Sequence, residues 1–276
     1  MPSGRKRAFL AISLVAAAVV SSAGSAAAGR PALQLRLQHG LEVSSGTETS
    51  SNWAGYAVTQ RKPFTSVTGK WVQPTATCAD LSSTYSAFWV GLGGFSANSF
   101  AVEQTGTLAN CSGGSPSYTA WYELYPKPPV MLRTAVHAGD TLSATVSASK
   151  KTVLIRLMNV TTGKLFTKRL HMNRPDLGSA EWVAEAPSGC DSAGNCSTLP
   201  LTNFGTVAFS HGTAMVKGHK GRISDPVWSE TTIELHGDLN DPSNASQAGA
   251  NAIPRALGPD GGSFTIDWQQ LSPPTG

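Results

Sequence analysis

Between residues 141 and 148 polar and apolar side chains alternate almost without interruption. Thr141, Ser143, Thr145 and Ser147 take one side, and Leu142, Ala144, Val146 and Ala148 the other. A period of two returns every second side chain to the same face, so the stretch predicts a strand with one buried face. Comparable short runs occupy 67–72, 85–92, 101–105, 118–125, 152–158, 164–171, 180–184, 206–209, 231–236 and 264–268, separated by turn residues. No run sustains a convincing helical period, and no internal repeat is present. Many short strands with turns between them predict an all-β domain, and an antiparallel β-sandwich of two curved sheets buries their apolar faces economically.

In several runs the second face is not bland. Across 118–125 one side carries Tyr118, Ala120, Tyr122 and Leu124, and the other Trp121, Glu123 and Tyr125. The latter set is costly surface unless it lines a groove. Trp89 stands opposite Phe88 and Val90, Gln104 shares a face with Val102 and opposes Glu103, and Glu181, Val183 and Glu185 fall on one side. On one concave sheet these faces surround an amide and carboxylates with aromatic walls, the composition of a peptide-binding cleft. Singly, each aromatic reads as core filling, Gln104 as a bonded strand residue and Glu185 as half of an ion pair; only the combination points to chemistry.

Arg5, Lys6 and Arg7 precede an apolar run over 8–20 and small residues ending in Ala26-Ala27-Ala28. This order of charge, short hydrophobic core and small-residue cleavage site predicts a secretory signal over 1–28, too short to remain as a membrane span. Residues 29–49 lack a period and read as a linker or short pro-segment, and 50–270 as a single β-sandwich domain, secreted and monomeric, with no membrane contact once the signal is removed. Cys78, Cys111, Cys190 and Cys196 are even in number and lack zinc-type spacing, so they predict disulfides. A local Cys190–Cys196 loop and a longer Cys78–Cys111 staple is the favoured pairing of the three that four cysteines allow.

Charged residues make up 14% of the chain, and 21 Lys and Arg against 17 Asp and Glu give a net charge of +4. The basic residues are scattered along the sequence without a stripe interleaved by aromatics, which reads as solvated surface and excludes a nucleic-acid groove. There is no G-x-S-x-G elbow and no H-E-x-x-H helix. Ser210-His211-Gly212 reads as a strand end and turn, and paired cysteines leave no thiol nucleophile. No cofactor or metal is expected. Asn159-Val160-Thr161 has the form of a glycosylation acceptor.

Five segments in order resemble the glutamic peptidases, or eqolisins: Ser51-Asn52-Trp53-Ala54-Gly55-Tyr56, Ala87-Phe88-Trp89-Val90-Gly91, Gln104-Thr105-Gly106, 118–126 (YTAWYELYP) and 180–185 (AEWVAE). The resemblance implies a concanavalin-like sandwich whose concave face binds an extended polypeptide. It implies a dyad of Gln104, the glutamine before Thr-Gly, and Glu185, the second glutamate of E-W-x-x-E. It also implies that Trp53, Trp89, Trp121, Glu123, Tyr125 and Glu181 shape the substrate cleft. The chemistry suits these residue types. Glu185, ionised, takes a proton from water as general base and returns it to the leaving nitrogen as general acid, and the Gln104 amide donates to the oxyanion and helps hold the water. Fungal members carry aspartates where this chain has Gly93 and Leu108, which leaves subsite preference and the depth of the acid optimum open. The alternative is a secreted carbohydrate- or peptide-binding sandwich without turnover.

Overall fold

The computed structural model describes residues 42–44, 46–96, 98–191, 196–237 and 250–270. The expected signal, and the 29–49 segment as far as residue 41, lie outside the described residues. Within them the chain forms β1 (Glu42–Ser44), β2 (Thr47–Ser50), β3 (Trp53–Thr59), β4 (Ser66–Val72), β5 (Ala87–Leu92), β6 (Val102–Ser112), β7 (Ser115–Tyr125), β8 (Val130–Met131) and β9 (Thr141–Ser149). There follow β10 (Thr152–Asn159), β11 (Lys164–His171), β12 (Ser179–Glu185), β13 (Ser188–Cys190), β14 (Cys196–Thr198), β15 (Thr206–Val216), β16 (His219–Arg222), β17 (Ser229–Leu235), β18 (Ala250–Pro254) and β19 (Phe264–Gln270). No helix occurs among the described residues, so none is long and apolar enough to cross a membrane.

Two antiparallel layers result. The front layer runs β17–β3–β12–β5–β6–β7–β8. The back layer runs β11–β10–β9–β4–β15, and β15 continues to β16 along one part of its free edge and to β19 along the other. Strand β18 pairs with β19 and touches β17 at Leu235 and Ala252, joining the layers at one edge. Strand β2, which runs from the end of the stretch read as linker or pro-segment into Ser50, adds parallel to β17, and β1 pairs with β2.

The inter-layer core takes the apolar face of each strand: Tyr56, Phe88, Val90 and Trp182 from the front, Trp71, Leu142, Val146, Ile155 and Phe209 from the back. Each such side chain stabilises the fold by about 1.5–3 kcal/mol on burial. Trp71 Nε1 donates to Thr107 Oγ1 at 2.9 Å and Trp182 Nε1 to the Thr68 carbonyl at 2.8 Å, so neither core indole leaves its N–H unpaired. β9 alternates intermediate and buried as its sequence period demands. β5 and β12 are instead buried at every residue, because their second face packs into a separate cluster of Trp53, Trp89, Trp121, Val183 and Ile233 on the outer side of the front layer.

Disulfides join Cys78 to Cys111 and Cys190 to Cys196, the latter closing the β13–β14 hairpin. Two expectations change. The 101–105 run continues to Ser112 and turns through Gly113 and Gly114, both at positive φ (58° and 75°), into β7. Ser210-His211-Gly212 is not a strand end: β15 runs on to Val216, its register against β4 shifts between Ser210 and Thr213, and His211 sits at φ 56°. A bulge absorbs the extra residues, which a sequence period reads as a break. Asn159 is fully buried, and its amide donates to Asp140 Oδ2 at 2.7 Å and the Ala135 carbonyl at 3.2 Å. The folded chain therefore offers no glycan acceptor there.

Candidate active site

Strand β12 alternates core residues Trp182 and Ala184 with Glu181, Val183 and Glu185 on the outer side of the front layer. Two strands away, β6 presents Gln104 on that same side. Strand β5 lies between, with Ala87 opposite Glu185 and Leu108, and Gly91 opposite Glu181 and Gln104. At its centre Trp89 pairs with Val183 and Gly106. A Cβ on Gly106 would stand 2.6 Å from the Trp89 Cβ, and one on Gly91 would stand 2.9 Å from Trp89 Cζ3 and 3.2 Å from the Gln104 Cβ. Two glycines thus make room for one indole. Its pyrrole end donates from Nε1 to Glu185 Oε2 at 2.7 Å, while its benzo edge lies over Gly91 beside the root of Gln104.

Gln104 and Glu185 each have their own support. Asn52 Nδ2 donates to Glu185 Oε1 at 3.4 Å, and the backbone of Asn52 is fixed by its carbonyl, which accepts the Ala186 N–H at 2.8 Å. Ser50 Oγ accepts the Trp53 N–H at 3.0 Å, placing the Trp53 ring edge-on to Trp89 with centroids 4.9 Å apart. Gln104 Nε2 donates to Glu123 Oε2 at 2.7 Å. No hydrogen bond joins Gln104 to Glu185. The buried polar atoms on this face without a well-formed hydrogen bond are Gln104 Oε1, Trp53 Nε1, Trp121 Nε1 and both carboxyl oxygens of Glu181. Unsatisfied groups of this kind are costly and gather where a ligand completes them. Gln104 and Glu185 are 3% and 2% exposed.

Burial dominates the electrostatics. It pushes the Glu185 carboxyl up to about 8, against the Trp89 and Trp53 indoles, which favour its charged form. It pushes Glu123 up to about 9, reinforced by the charge of Glu185 and opposed by the Gln104 bond. Both carboxyls are therefore neutral in acid, where the sequence predicts an ionised base at Glu185; burial of the whole side chain makes the difference. Glu181, the first glutamate of E-W-x-x-E, is fully buried with neither oxygen in a well-formed hydrogen bond. Burial raises it well above 4.5, with Asp176 and Glu103 adding repulsion and Ser179 pulling the other way. Glu103, on the opposite face of β6, is raised to about 9 by burial; its Oε1 accepts the Asp176 N–H at 3.2 Å and its Oε2 has no partner.

The model of the peptidase A4 family matches residues 51–247, a span that holds every residue named above except Ser50. The chain belongs to the peptidase A4 family. It is accordingly a peptide-bond hydrolase of the glutamic type, and its substrates are polypeptides. Among solved structures of this family's fold, a scytalidoglutamic peptidase with a peptide-based transition-state analogue is similar at TM-score 0.64 and 22% identity, over 80% of this chain and 99% of that one. Aspergilloglutamic peptidase from Aspergillus niger is similar at TM-score 0.55 and 26% identity, over 67% and 99%. An eqolisin solved with the tripeptide Ala-Ile-His is similar at TM-score 0.59 and 21% identity, over 80% and 99%. No curated protein sequence matches the chain.

Of the residues expected to shape the cleft of this A4 peptidase, Trp53, Trp89, Trp121 and Tyr125 meet in one cluster, on the face that carries Gln104 and Glu185. Glu123 bonds Gln104, and Glu181 lies in register with Gln104 across Gly91 on the same face. Asn52 was not singled out from sequence, although its place beside Trp53 in the S-N-W segment was the available signal. Where an aspartate stands in fungal members, Gly93 adopts φ 77° and a Cβ there would approach the Asp176 carbonyl to 2.5 Å, so the chain's path excludes a side chain. Replacing Trp89 by Phe removes a donor that favours ionised Glu185. The alkaline limb of kcat/KM, from initial rates, is expected to move up by about one pH unit; an unmoved limb would separate Trp89 from Glu185 ionisation.

Proposed function

We propose that this peptidase is a secreted endopeptidase acting in acid, with Glu185 moving the proton and Gln104 stabilising the oxyanion. The observation that carries the proposal is the common face: acid and amide flank one indole, beneath unpaired polar atoms, on strands of an A4 peptidase fold. Hydrolysis needs a proton taken from water and one given to the leaving nitrogen. A neutral carboxyl has an O–H to give and a second oxygen to receive with, so Glu185 surrenders its proton to the substrate, accepts the water's, and ends neutral as it began. Its burial keeps that form dominant throughout acid.

Gln104 has two amide protons. Glu123 accepts one, which fixes the plane of the amide, and the other is available to the oxyanion. Because Glu123 is neutral in acid, no fixed negative charge opposes the oxyanion there. Export is supported by the two disulfides, which persist in oxidising compartments, and by the signal-like leader. The residues from 50 to 270 form the catalytic domain in this proposal. The test is cleavage of denatured casein between about pH 2 and pH 6, resistant to pepstatin, serine-protease reagents and chelators. Inhibition by any of these, or activity confined above neutral pH, overturns it.

A further inference from the structure

Basic residues concentrate on the back layer of the sandwich, whose strands carry one acid, Asp267 of β19, held by Arg255 at 2.7 Å. Strands β4, β9, β10, β11, β15 and β16 contain no Asp or Glu, whereas β3, β5, β6, β7, β12 and β17 contain no Lys or Arg. The basic residues that look scattered along the sequence converge because neighbouring back strands are distant in the chain. Pairing aligns Arg222 with Thr213, Thr213 with Thr68, Thr68 with Thr145, and Thr145 with Arg156. An adjacent row runs from Lys220 through Met215, Ser66, Ser147 and Leu154 to Arg169. Their chain neighbours Val67, Ala144, Val146, Ile155 and Ala214 are buried in the core, so these rows face outward.

Between the cations lies a hydroxyl surface. Ser66 Oγ and Ser147 Oγ stand 3.0 Å apart, as do Thr68 Oγ1 and Thr145 Oγ1. At one side a cavity of about 490 Å³ is lined by Lys70, Lys220, Arg222, His211 and Asp225 among others. Asp225 is already held by His219 at 2.9 Å. Asp260, which lies near Arg222, takes the Ser263 hydroxyl and two backbone N–H groups, and no salt bridge joins it to the arginine.

We propose that the outer face of the back layer is a docking surface for an acidic polysaccharide. Cations spaced over a flat sheet suit a linear polyanion, and rows of hydroxyls suit sugar rings. Neither row carries an aromatic residue, so nothing stacks on bases as a single-stranded nucleic acid requires. A sugar carboxylate loses its charge as pH falls through about 4, whereas sulfate and phosphate esters keep theirs, so an ester-bearing glycan stays bound over the whole acid range. Bound this way, the peptidase adheres by one layer and leaves the layer bearing Gln104 and Glu185 free to take polypeptide.

The full chain is tested at pH 5 and about 0.15 M salt, where exposed charges act over roughly 8 Å. The probes are dextran sulfate, dextran phosphate, unmodified dextran, duplex DNA and anionic phospholipid vesicles. Binding is expected to either dextran ester and not to plain dextran, and the tighter of the two identifies the ester. A Lys70→Ser, Lys220→Ser, Arg222→Ser variant should bind ~10-fold or more weakly while cleaving casein at the wild-type rate. An Arg61→Ser, Lys62→Ser, Lys127→Ser variant, which loses the same charge elsewhere, should bind as wild type. Equal loss in both variants, binding to DNA or vesicles as tight as to the dextran esters, or no binding to either ester overturns the proposal.

Discussion

Glu185→Gln is expected to lower casein cleavage in acid by roughly 100- to 10,000-fold, the range for loss of a positioned acid–base group. The variant is a sharp probe because glutamine copies the shape of the neutral carboxyl and keeps an oxygen to accept from Trp89, now 2.7 Å away. What it lacks is a proton that can leave and be replaced. The fold should survive, since a buried neutral group replaces another, and unchanged circular dichroism confirms that activity and structure have been separated. Gln104→Ala is expected to lose ~100- to 1000-fold, as for removal of one oxyanion donor, mostly in kcat. Full activity in either variant removes that residue from the mechanism.

The second large effect concerns stability. Wild type is expected to lose ~10 °C or more of melting temperature between pH 4 and pH 8, and Glu103→Gln with Glu181→Gln to flatten that decline. The folded-state values of Glu103 and Glu123 are raised from 4.5 to about 9 and that of Glu185 to about 8, and Glu181 moves the same way. Between 4.5 and those values the folded chain keeps protons that the unfolded chain releases, so unfolding becomes more favourable with every step up in pH. The stabilisation is fully present below about 4.5 and is lost as pH rises through the folded-state values. Glu103 and Glu181 contribute without touching the dyad, with three of their four carboxyl oxygens unpaired. The double variant should therefore unfold less readily near neutral pH while retaining activity in acid. Parallel melting curves for the two proteins across this range would contradict the assignment of those carboxyls as the cause.

Much of this was legible in the sequence, for definite reasons. Thr141 to Ala148 is read correctly because one face is core and the other solvent, which is what a period of two reports. The placement of Trp121 and Glu123 opposite Ala120 and Leu124 was visible for the same reason. The second half of β6 was not, because Gly106, Asn110 and Cys111 are chosen by a neighbouring indole, the Ser86 N–H that Asn110 accepts and a disulfide rather than by periodicity. The bond from Gln104 to Glu123 needed the β6–β7 register, which a single sequence does not state. Nor does sequence distance reveal the basic back layer, since Lys70, Arg156 and Lys220 come onto one face only through strand pairing. The near-complete covering of Glu185 also escaped expectation, because it depends on the packing of whole faces.

The central claim is that one water and one scissile carbonyl lie between the Gln104 amide and the Glu185 carboxyl. A crystal structure of the protein in acid with a peptide-like tetrahedral analogue tests it most directly. The analogue's oxygens are expected within about 2.6–3.2 Å of Gln104 and of Glu185, with Gln104 still held by Glu123. An analogue seated on other residues, or one contacting only one of the two side chains, would contradict it.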